Sequence, residues 1–251
     1  MNAIDIHVHH PWTDPQARPD YRLQRLKSLA EQSGIDRILA LTGGSGTSPE
    51  ELQRRNDCTL RLLEEAPDFY CGAMYLSPNH PPEFIRQEAR RCAAAGMAAI
   101  KQGIEVNARD QRIDPIAEAA GELGIPILFH AWYKMVEKYP EESDASDIAH
   151  LARRHPDTRF IMAHLTGVGR RGVQDIEDLP NVSVDTCGGW YDTEMVEYAV
   201  EHLGAERVVY GSDYPGRDYA PQVGRVMGAR LSAEDRERIL WRNAAALLGL
   251  S

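Results

Sequence analysis

Residues 3–10 read AIDIHVHH and place three of the chain's nine histidines in one short segment. Isoleucine or valine at every second position alternates with Asp5, His7 and His9, which is the period of a β-strand. The alternation predicts one aliphatic face and one face that carries a carboxylate and two imidazoles. His10 falls outside this register, so we interpret it as a loop residue or as a residue that supports the site from behind its ligands.

Short runs of β-branched and apolar residues recur along the whole chain, and a helical pattern follows each of them. We predict eight strands, at residues 3–8, 36–42, 69–75, 97–101, 126–130, 159–164, 182–186 and 207–212. Asp114 is expected to cap a helix that ends at Gly124, and Ser232 to cap the last helix together with Asp235. The alternation predicts a single-domain (β/α)₈ TIM barrel over residues 1–251, with a C-terminal helix after the last strand. A doubly wound open sheet is the alternative, although no glycine-rich nucleotide fingerprint follows the first strand.

Composition narrows the classes of partner. The formal charge is -10, from 38 acidic and 28 basic side chains, and such a surface repels nucleic acid. No apolar run approaches the ~20 residues of a membrane helix, and the N-terminus lacks the order of a signal peptide. The four cysteines lack CxxC spacing, which predicts a reducing, cytoplasmic compartment without disulfides or a thiolate zinc site. Association into a homo-oligomer through the outer helices stays open.

Polar side chains gather where the predicted strands end, and barrel enzymes place their reactive groups there. These residues are His7, His9, Lys101, His130, His164 and Asp213. Taken singly, each has a structural explanation, such as a core histidine bonded to backbone or a helix cap. Because that explanation must be invoked again at every strand end, we favour one shared site.

Metal binding is the chemistry that best fits this pattern. Two residues apart on a strand, His7 and His9 can bind the same ion, and imidazole and carboxylate ligands suit Zn²⁺, with Mn²⁺ as an alternative. An open coordination position would hold water and lower its pKa to about 7. Asp5, on the same predicted face, is expected to orient one of the two imidazoles from deeper in the barrel.

Four motifs, DIHVHH, PILFHAW, FIMAHLTG and LGAERVVYGSDYP, resemble the amidohydrolase superfamily in their order and approximate spacing. The closest similarity is to its amidohydrolase-2 branch, which includes aminocarboxymuconate-semialdehyde decarboxylase-like proteins and related lactonases. The resemblance extends from Asp5 to the C-terminal helix and implies a metal-dependent TIM barrel. The same barrel hosts hydrolysis and decarboxylation in this superfamily, so the fold does not choose between them.

The resemblance also assigns roles to individual residues. It implies that His7, His9 and His130 bind the metal, and that Asp213 contacts the metal or its bound water. His164 would lie beside the substrate as a polarising or proton-transfer group, and would be a ligand only in a two-metal variant.

Lys101 matches the strand position at which two-metal members of the superfamily carry a carboxylated lysine. An unmodified Lys101 would instead bind a substrate carboxylate or pair with Glu105. We favour one ion over two.

Metal-assisted hydrolysis of a small amide, ester or lactone is the reaction that we favour from the sequence. Asp213 would take a proton from water and pass it to the leaving group, and His164 would stabilise the oxyanion. Nonoxidative decarboxylation of a small carboxylated ring or enoic acid is the alternative. A non-catalytic metal-binding or ligand-binding barrel is a third hypothesis.

Loops after the later strands supply candidate groups for a small-molecule substrate. These are Trp132, Tyr133, Arg170, Trp190 and Arg217. Apolar walls with arginine nearby suit a small ring or acyl group that bears a carboxylate, which arginine binds bidentately. For each arginine taken singly, a solvated surface position is the simpler explanation.

Overall fold

The computed structural model describes residues 2–10, 21–42, 48–134, 136–189 and 192–250. The strands are β1 (Ile4–His9), β2 (Arg37–Leu41), β3 (Tyr70–Tyr75), β4 (Ala99–Gln102), β5 (Ile127–Phe129), β6 (Phe160–Met162), β7 (Val182–Asp185) and β8 (Val208–Val209). The helices are α1 (Tyr21–Gln32), α2 (Pro49–Glu65), α3 (Pro82–Ala94), α4 (Asp114–Leu123), α5 (Ala145–Arg154), α6 (Leu165–Asp175), α7 (Met195–Leu203), α8 (Tyr219–Gly228), α9 (Ala233–Glu237) and α10 (Asn243–Leu248). Neighbouring strands pair in parallel and in chain order. The predicted TIM barrel with a C-terminal helix is confirmed.

The barrel closes where the segment after β8 meets β1. The backbone N–H of Ile6 donates to the carbonyl of Tyr210 at 3.1 Å, and that of His9 donates to the carbonyl of Tyr214 at 2.7 Å. Val8 and Tyr214 also form an isolated parallel bridge. The chain after the eighth strand therefore lies directly beside the histidines of the first, and the open-sheet alternative does not apply.

Two hydrophobic clusters show which way the strand side chains face. The inner cluster fills the barrel and includes Ile4, Ile6, Leu39, Ala99, Leu128, Ile161 and Val209. The outer cluster lies between the strands and the helices and includes Val8, Ile38, Ile100, Phe129, Val184 and many helix residues. Full burial of each large aliphatic side chain stabilises the fold by about 1.5–3 kcal/mol relative to exposure.

A β-bulge in β1 overturns the face predicted for Asp5. The pairing of β1 with β2 changes register between Asp5 and Val8. A bulge inserts one residue and reverses the alternation of side-chain faces beyond it. Ile6 and the next residue, His7, can therefore both face the inside of the barrel, and Ile6 belongs to the inner cluster. The carboxylate of Asp5 accepts the backbone N–H groups of His7 and Ser212, each at 3.0 Å, and orients no imidazole ring. Burial raises the pKa of Asp5 to about 7.

The predicted capping role of Asp114 is wrong. A 3₁₀ turn at Gln111–Ile113 is capped by Asp110 and leads directly into α4, so no side chain is needed at the start of that helix. Asp114 instead accepts a hydrogen bond from Arg154 at 2.9 Å and contacts His155 at 2.8 Å. Its carboxylate therefore joins α4 to the end of α5.

The other two predictions about helix ends are confirmed. Gly124 ends α4 with a φ of 66°, in the left-handed region that glycine tolerates. The hydroxyl of Ser232 accepts the backbone N–H of Asp235 at 3.0 Å. All four cysteines are buried and free of disulfides. Within the described ranges, no helix combines the length and apolar character that crossing a membrane requires.

Glu88 is a buried carboxylate that ties α3 to α2. It accepts hydrogen bonds from Asn56 and Arg91, each at 2.8 Å, and Asn56 also donates to the carbonyl of Tyr75 on β3. Burial opposes ionisation of Glu88, but the hydrogen bonds of Arg91 and Asn56 outweigh it and lower its pKa from 4.5 to about 2. The charged form therefore stabilises the folded state.

We predict that Glu88→Gln lowers the free energy of unfolding at pH 7 by about 2 kcal/mol, because charge-assisted hydrogen bonds are lost. Because the pKa of Glu88 is lower in the folded state, its ionisation stabilises the fold fully only at pH values at which the carboxyl is also ionised in the unfolded chain. The difference from the wild type should therefore be complete above pH 4.5 and shrink as the pH falls towards about 2. Urea unfolding at pH 7 and at pH 3.5 measures both effects.

Glu83→Gln is the matched control, since Glu83 lies in the same helix and its exposed carboxylate contacts Gln87. It should change the stability by less than about 0.5 kcal/mol. An equal loss in both variants, or no pH dependence of the Glu88→Gln effect, would contradict the role given to Glu88.

Candidate metal centre

The ends of β1 and β7 meet in a buried pair of imidazole and carboxylate. Nδ1 of His7 lies 2.7 Å from Oδ2 of Asp185, and both residues are fully buried. Because an ionised carboxylate can only accept, Nδ1 carries the hydrogen and Nε2 keeps a lone pair. Burial lowers the pKa of His7 well below its ordinary value. The ring is therefore neutral, which is the form that binds metal ions.

Asp185 also holds the backbone on both sides of the site. Its Oδ1 accepts the backbone N–H of His164 at 2.8 Å, the backbone N–H of Cys187 at 3.1 Å and the thiol of Cys187 at 2.8 Å. Burial raises the pKa of Asp185, and these donors oppose that shift. Sequence reasoning missed Asp185, although it lies one residue before the end of the seventh predicted strand and so carried nearly the same signal as the histidines.

His130 is oriented by a second buried carboxylate. Its Nε2 lies 2.8 Å from Oε1 of Glu142, which also pairs with Nζ of Lys134 at 2.9 Å. Burial lowers the pKa of His130. The contact with Glu142 leaves Nδ1 of His130 without that partner, but among the described residues His130 belongs to neither group of ligand atoms that lie close enough to share an ion. Glu142 lies within the long loop between β5 and α5, where no strand or helix pattern marked it.

His164 is the third anchored histidine. It immediately precedes α6 with a φ of 70°, and its Nδ1 donates to the carbonyl of Ala131 at 3.1 Å. Its ring centre lies 5.1 Å from that of His7 and 4.8 Å from that of His130. Burial lowers the pKa of His164 well below its ordinary value. The neutral ring has a lone pair at Nε2. To stabilise an oxyanion, as predicted, Nε2 would have to carry a second proton, and burial opposes that protonation.

The candidate ligand atoms of His7, His9 and Asp213 lie close together at the end of β1. Nε2 of His7 and Nε2 of His9 are 3.1 Å apart, and Oδ1 of Asp213 lies 3.7 Å from the first and 3.3 Å from the second. Burial opposes ionisation of Asp213, but His9 and His7 outweigh it and lower its pKa. Asp213 has a φ of 64° and donates its backbone N–H to the carbonyl of His7 at 2.8 Å.

Lys101 lies within the same cluster. Its Nζ is 3.2 Å from Nε2 of His7, and burial lowers its pKa. It does not pair with Glu105, which accepts hydrogen bonds from Ser77 at 2.6 Å and Asn79 at 2.8 Å. Of the two roles considered for an unmodified lysine, the pairing with Glu105 is therefore wrong.

This donor set fits a divalent metal ion. The ligand atoms of His7, His9 and Asp213 all lie within 4.8 Å of one another, and nitrogen with carboxylate oxygen suits Zn²⁺ or Mn²⁺. In the described part of the chain, His7, His164 and Cys187 form a second such group. Burial raises the pKa of the Cys187 thiol well above its ordinary value, so the group with Asp213 fits better.

The predicted substrate-binding residues divide into three groups. Trp132 lies beside His164, with ring centres 5.0 Å apart, and Arg217 follows Asp213 along the same loop. The hydroxyl of Tyr133 donates to Asp175, and Arg170 lies 4.6 Å above the ring of Tyr198, so the structure does not bring these two side chains to the metal ligands. Trp190 lies outside the described residues.

Comparisons with known proteins agree with this architecture. The amidohydrolase-2 family model, described as amidohydrolase, matches residues 4–250, and the chain belongs to this family. The 2-amino-3-carboxymuconate-6-semialdehyde decarboxylase of Dictyostelium discoideum is 24% identical across 92% of this chain and 77% of its own length. The Caenorhabditis elegans protein of the same name is 37% identical, over 24% of this chain and 16% of its own length.

Solved structures show the same fold. A 5-carboxyvanillate decarboxylase from Sphingomonas paucimobilis superposes with a TM-score of 0.79 at 16% identity, covering 100% of this chain and 99% of its own. A 2,6-dihydroxybenzoate decarboxylase from Rhizobium gives 0.78 at 16% identity, covering 99% and 98%. A dihydroxybenzoic acid decarboxylase from Polaromonas, with manganese and 2-nitroresorcinol bound, gives 0.75 at 18% identity, covering 99% and 97%.

We predict that Asp185→Asn weakens metal binding by about 10- to 100-fold, because the acceptor that fixes the His7 tautomer loses its charge. Competition with a chromophoric chelator measures the affinity. Asp178→Asn is the control, since Asp178 pairs with Arg153 at the surface. Unchanged metal affinity in a folded Asp185→Asn protein would contradict the assignment.

Proposed function

We propose that this chain is a metal-dependent nonoxidative decarboxylase of small planar carboxylic acids. The observation that carries the proposal is the convergence of His7, His9 and Asp213 beside a neutral His164. The names of the relatives support decarboxylation, the alternative from the sequence, over the hydrolysis that the sequence favoured.

The ligands would hold one divalent ion. We assign His7 and His9 through Nε2, His130 through Nδ1, and Asp213 through its carboxylate. The ion would supply positive charge that binds the reacting carboxylate and a neighbouring oxygen of the substrate. Zn²⁺ and Mn²⁺ both suit these ligands, and manganese accompanies two of the structurally similar decarboxylases.

The reaction replaces the carboxylate with a proton: R–CO₂⁻ + H⁺ → R–H + CO₂. The carbon–carbon bond breaks, its electron pair stays on the substrate carbon, and that carbon takes up the proton. Asp213 is the ionised carboxylate that we assign to relay this proton, since its partly exposed side chain can take a proton from solvent and pass it to the substrate carbon. The lone pair on Nε2 of His164 can accept a hydrogen bond from a substrate hydroxyl.

The direct test supplies the protein with Zn²⁺ or Mn²⁺ and a panel of hydroxybenzoic, benzenedicarboxylic and unsaturated dicarboxylic acids. We expect CO₂ release and, in deuterated water, one deuterium at the carbon that lost the carboxylate. Hydrolysis of lactones or amides without CO₂ release from any acid would overturn the proposal.

We predict that Asp213→Asn lowers kcat by about 10²- to 10⁴-fold, because the proton-delivering group is lost. Metal content must be measured in parallel and compared at full occupancy. Asp178→Asn again serves as the control and should keep the wild-type kcat. Wild-type turnover of Asp213→Asn at full metal occupancy would remove Asp213 from the mechanism.

A further inference from the structure

We infer that Asp5 is a positioning residue for the metal centre. One oxygen of its buried carboxylate holds the backbone of His7 against the segment that carries Asp213, and so sets the distance between these two metal ligands. The inference rests on the ligand set of the proposed function and not on the reaction. Asp5 alternates with the inward-facing Ile4 and Ile6, so its side chain lies on the outer face of β1 and acts through the backbone.

Oδ1 of Asp5 accepts two backbone N–H groups from the two sides of the barrel closure. His7 donates to it from β1 and Ser212 donates to it from the segment after β8, each at 3.0 Å. All three residues are fully buried. Because solvent does not reach these groups, water cannot replace Oδ1 as the acceptor. One oxygen atom therefore holds the two segments together.

The same oxygen supports the β-bulge that turns His7 inward. The pairing of β1 with β2 changes register between Asp5 and Val8, and Ile6 and His7 lie within this irregular stretch. A bulge disrupts the regular ladder, so its N–H groups need other acceptors. The N–H of His7 finds one in the side chain two positions earlier, a local pairing that aspartate favours. Asp5 thus stabilises the conformation that brings His7 to the site.

Asp213 is the residue that follows Ser212, and it is joined to the same backbone frame. Its backbone N–H donates to the carbonyl of His7 at 2.8 Å, with a φ of 64°. From this frame the side chains place Oδ1 of Asp213 3.7 Å from Nε2 of His7. Without the acceptor on Asp5, the N–H groups of His7 and Ser212 would have to find other partners. The two ligands would then lose their fixed separation.

The position of the acceptor matters for this role, and the charge does not. Oδ2 of Asp5 is buried and has no hydrogen-bond partner among the described residues. Asp5→Asn keeps an oxygen acceptor at Oδ1 and puts an amide nitrogen where no donor is lost. Asp5→Glu keeps the charge but moves the acceptor by one methylene group, and Asp5→Ala removes it.

Competition with a chromophoric chelator measures the affinity of these variants for Zn²⁺. We expect Asp5→Ala and Asp5→Glu to bind about 10- to 100-fold more weakly than the wild type, and Asp5→Asn to stay within about threefold of it. The visible absorption spectrum of bound Co²⁺ reports the geometry of the ligands. It should change in Asp5→Ala and Asp5→Glu and match the wild type in Asp5→Asn.

Asn243→Ala is the matched control. Asn243 is a buried side chain that also holds two backbone groups, since its amide donates to the carbonyls of Ala205 at 2.7 Å and Val208 at 2.8 Å. These bonds lie at the start of β8, at the opposite end of that strand from Asp213. Asn243→Ala should lower the urea midpoint of unfolding but keep the wild-type Zn²⁺ affinity and Co²⁺ spectrum.

Amide hydrogen exchange of the metal-free wild type tests the inference without a substitution, and so decides it even where Asp5→Ala and Asp5→Glu do not fold. The N–H groups of His7 and Ser212 should exchange as slowly as that of Ile6, which donates to the carbonyl of Tyr210 at 3.1 Å. Faster exchange at His7 or Ser212 would show that Asp5 does not hold the frame before the ion binds, and would overturn the inference.

Three results with the variants would also overturn it. These are wild-type affinity in a folded Asp5→Ala or Asp5→Glu protein, a loss in Asp5→Asn as large as in Asp5→Ala, and an equal loss in Asn243→Ala. Because affinity is measured without turnover, the two proposals can fail separately. Metal binding that depends on Asp5, without CO₂ release from any acid, would remove the decarboxylase function alone. CO₂ release with metal affinity that ignores Asp5 would remove this inference alone, and a wild type that binds neither Zn²⁺ nor Co²⁺ would remove both.

Discussion

The hydrogen bond between His7 and Asp185 is the constraint on which the metal centre depends. It joins the first strand to the seventh, sets the tautomer of His7 and directs Nε2 towards His9 and Asp213. The other oxygen of the same carboxylate accepts the backbone N–H of His164 and helps hold that residue at a positive φ. The buried carboxylate of Asp185 therefore orients His7 through a hydrogen bond from its ring and His164 through a hydrogen bond from its backbone.

The same principle recurs around the barrel. Three histidines of the site each use one nitrogen for a protein acceptor, which is Asp185 for His7, Glu142 for His130 and the carbonyl of Ala131 for His164. The other nitrogen stays available for a ligand. Anchoring of this kind raises metal affinity because the ligand atoms are positioned before the ion arrives. Burial lowers the pKa of all three rings and keeps them in the neutral form that metal ions require.

The parts of the site that were predicted from the sequence lie at the ends of strands. His7, His9, Lys101 and Asp213 were predicted from their position after apolar runs, and the parallel topology brings them together at one end of the barrel. Asp185 carried nearly the same signal and was missed. Glu142 could not be predicted, because it lies in a loop whose path depends on packing against β5 and α5.

Two errors have a common physical origin. Strict alternation placed Asp5 on the face of His7, and cap preferences placed Asp114 at the start of a helix. In both cases a tertiary partner decided the outcome: the pairing of β1 with β2 introduced a bulge, and a preceding 3₁₀ turn left Asp114 to contact α5. Local periodicity and helix-cap preference carry no information about either tertiary partner.

By itself, the sequence determined the barrel, its eight strands and the chemical type of the site, because apolar periodicity and strand-end position are local properties. Only the tertiary structure decided which nitrogen of each histidine is anchored and which carboxylate anchors it. Tertiary structure also placed Trp132 beside His164, and it engaged Tyr133 and Arg170 with Asp175 and Tyr198 instead. These choices depend on contacts between residues far apart in the chain, such as the 178 positions that separate His7 from Asp185.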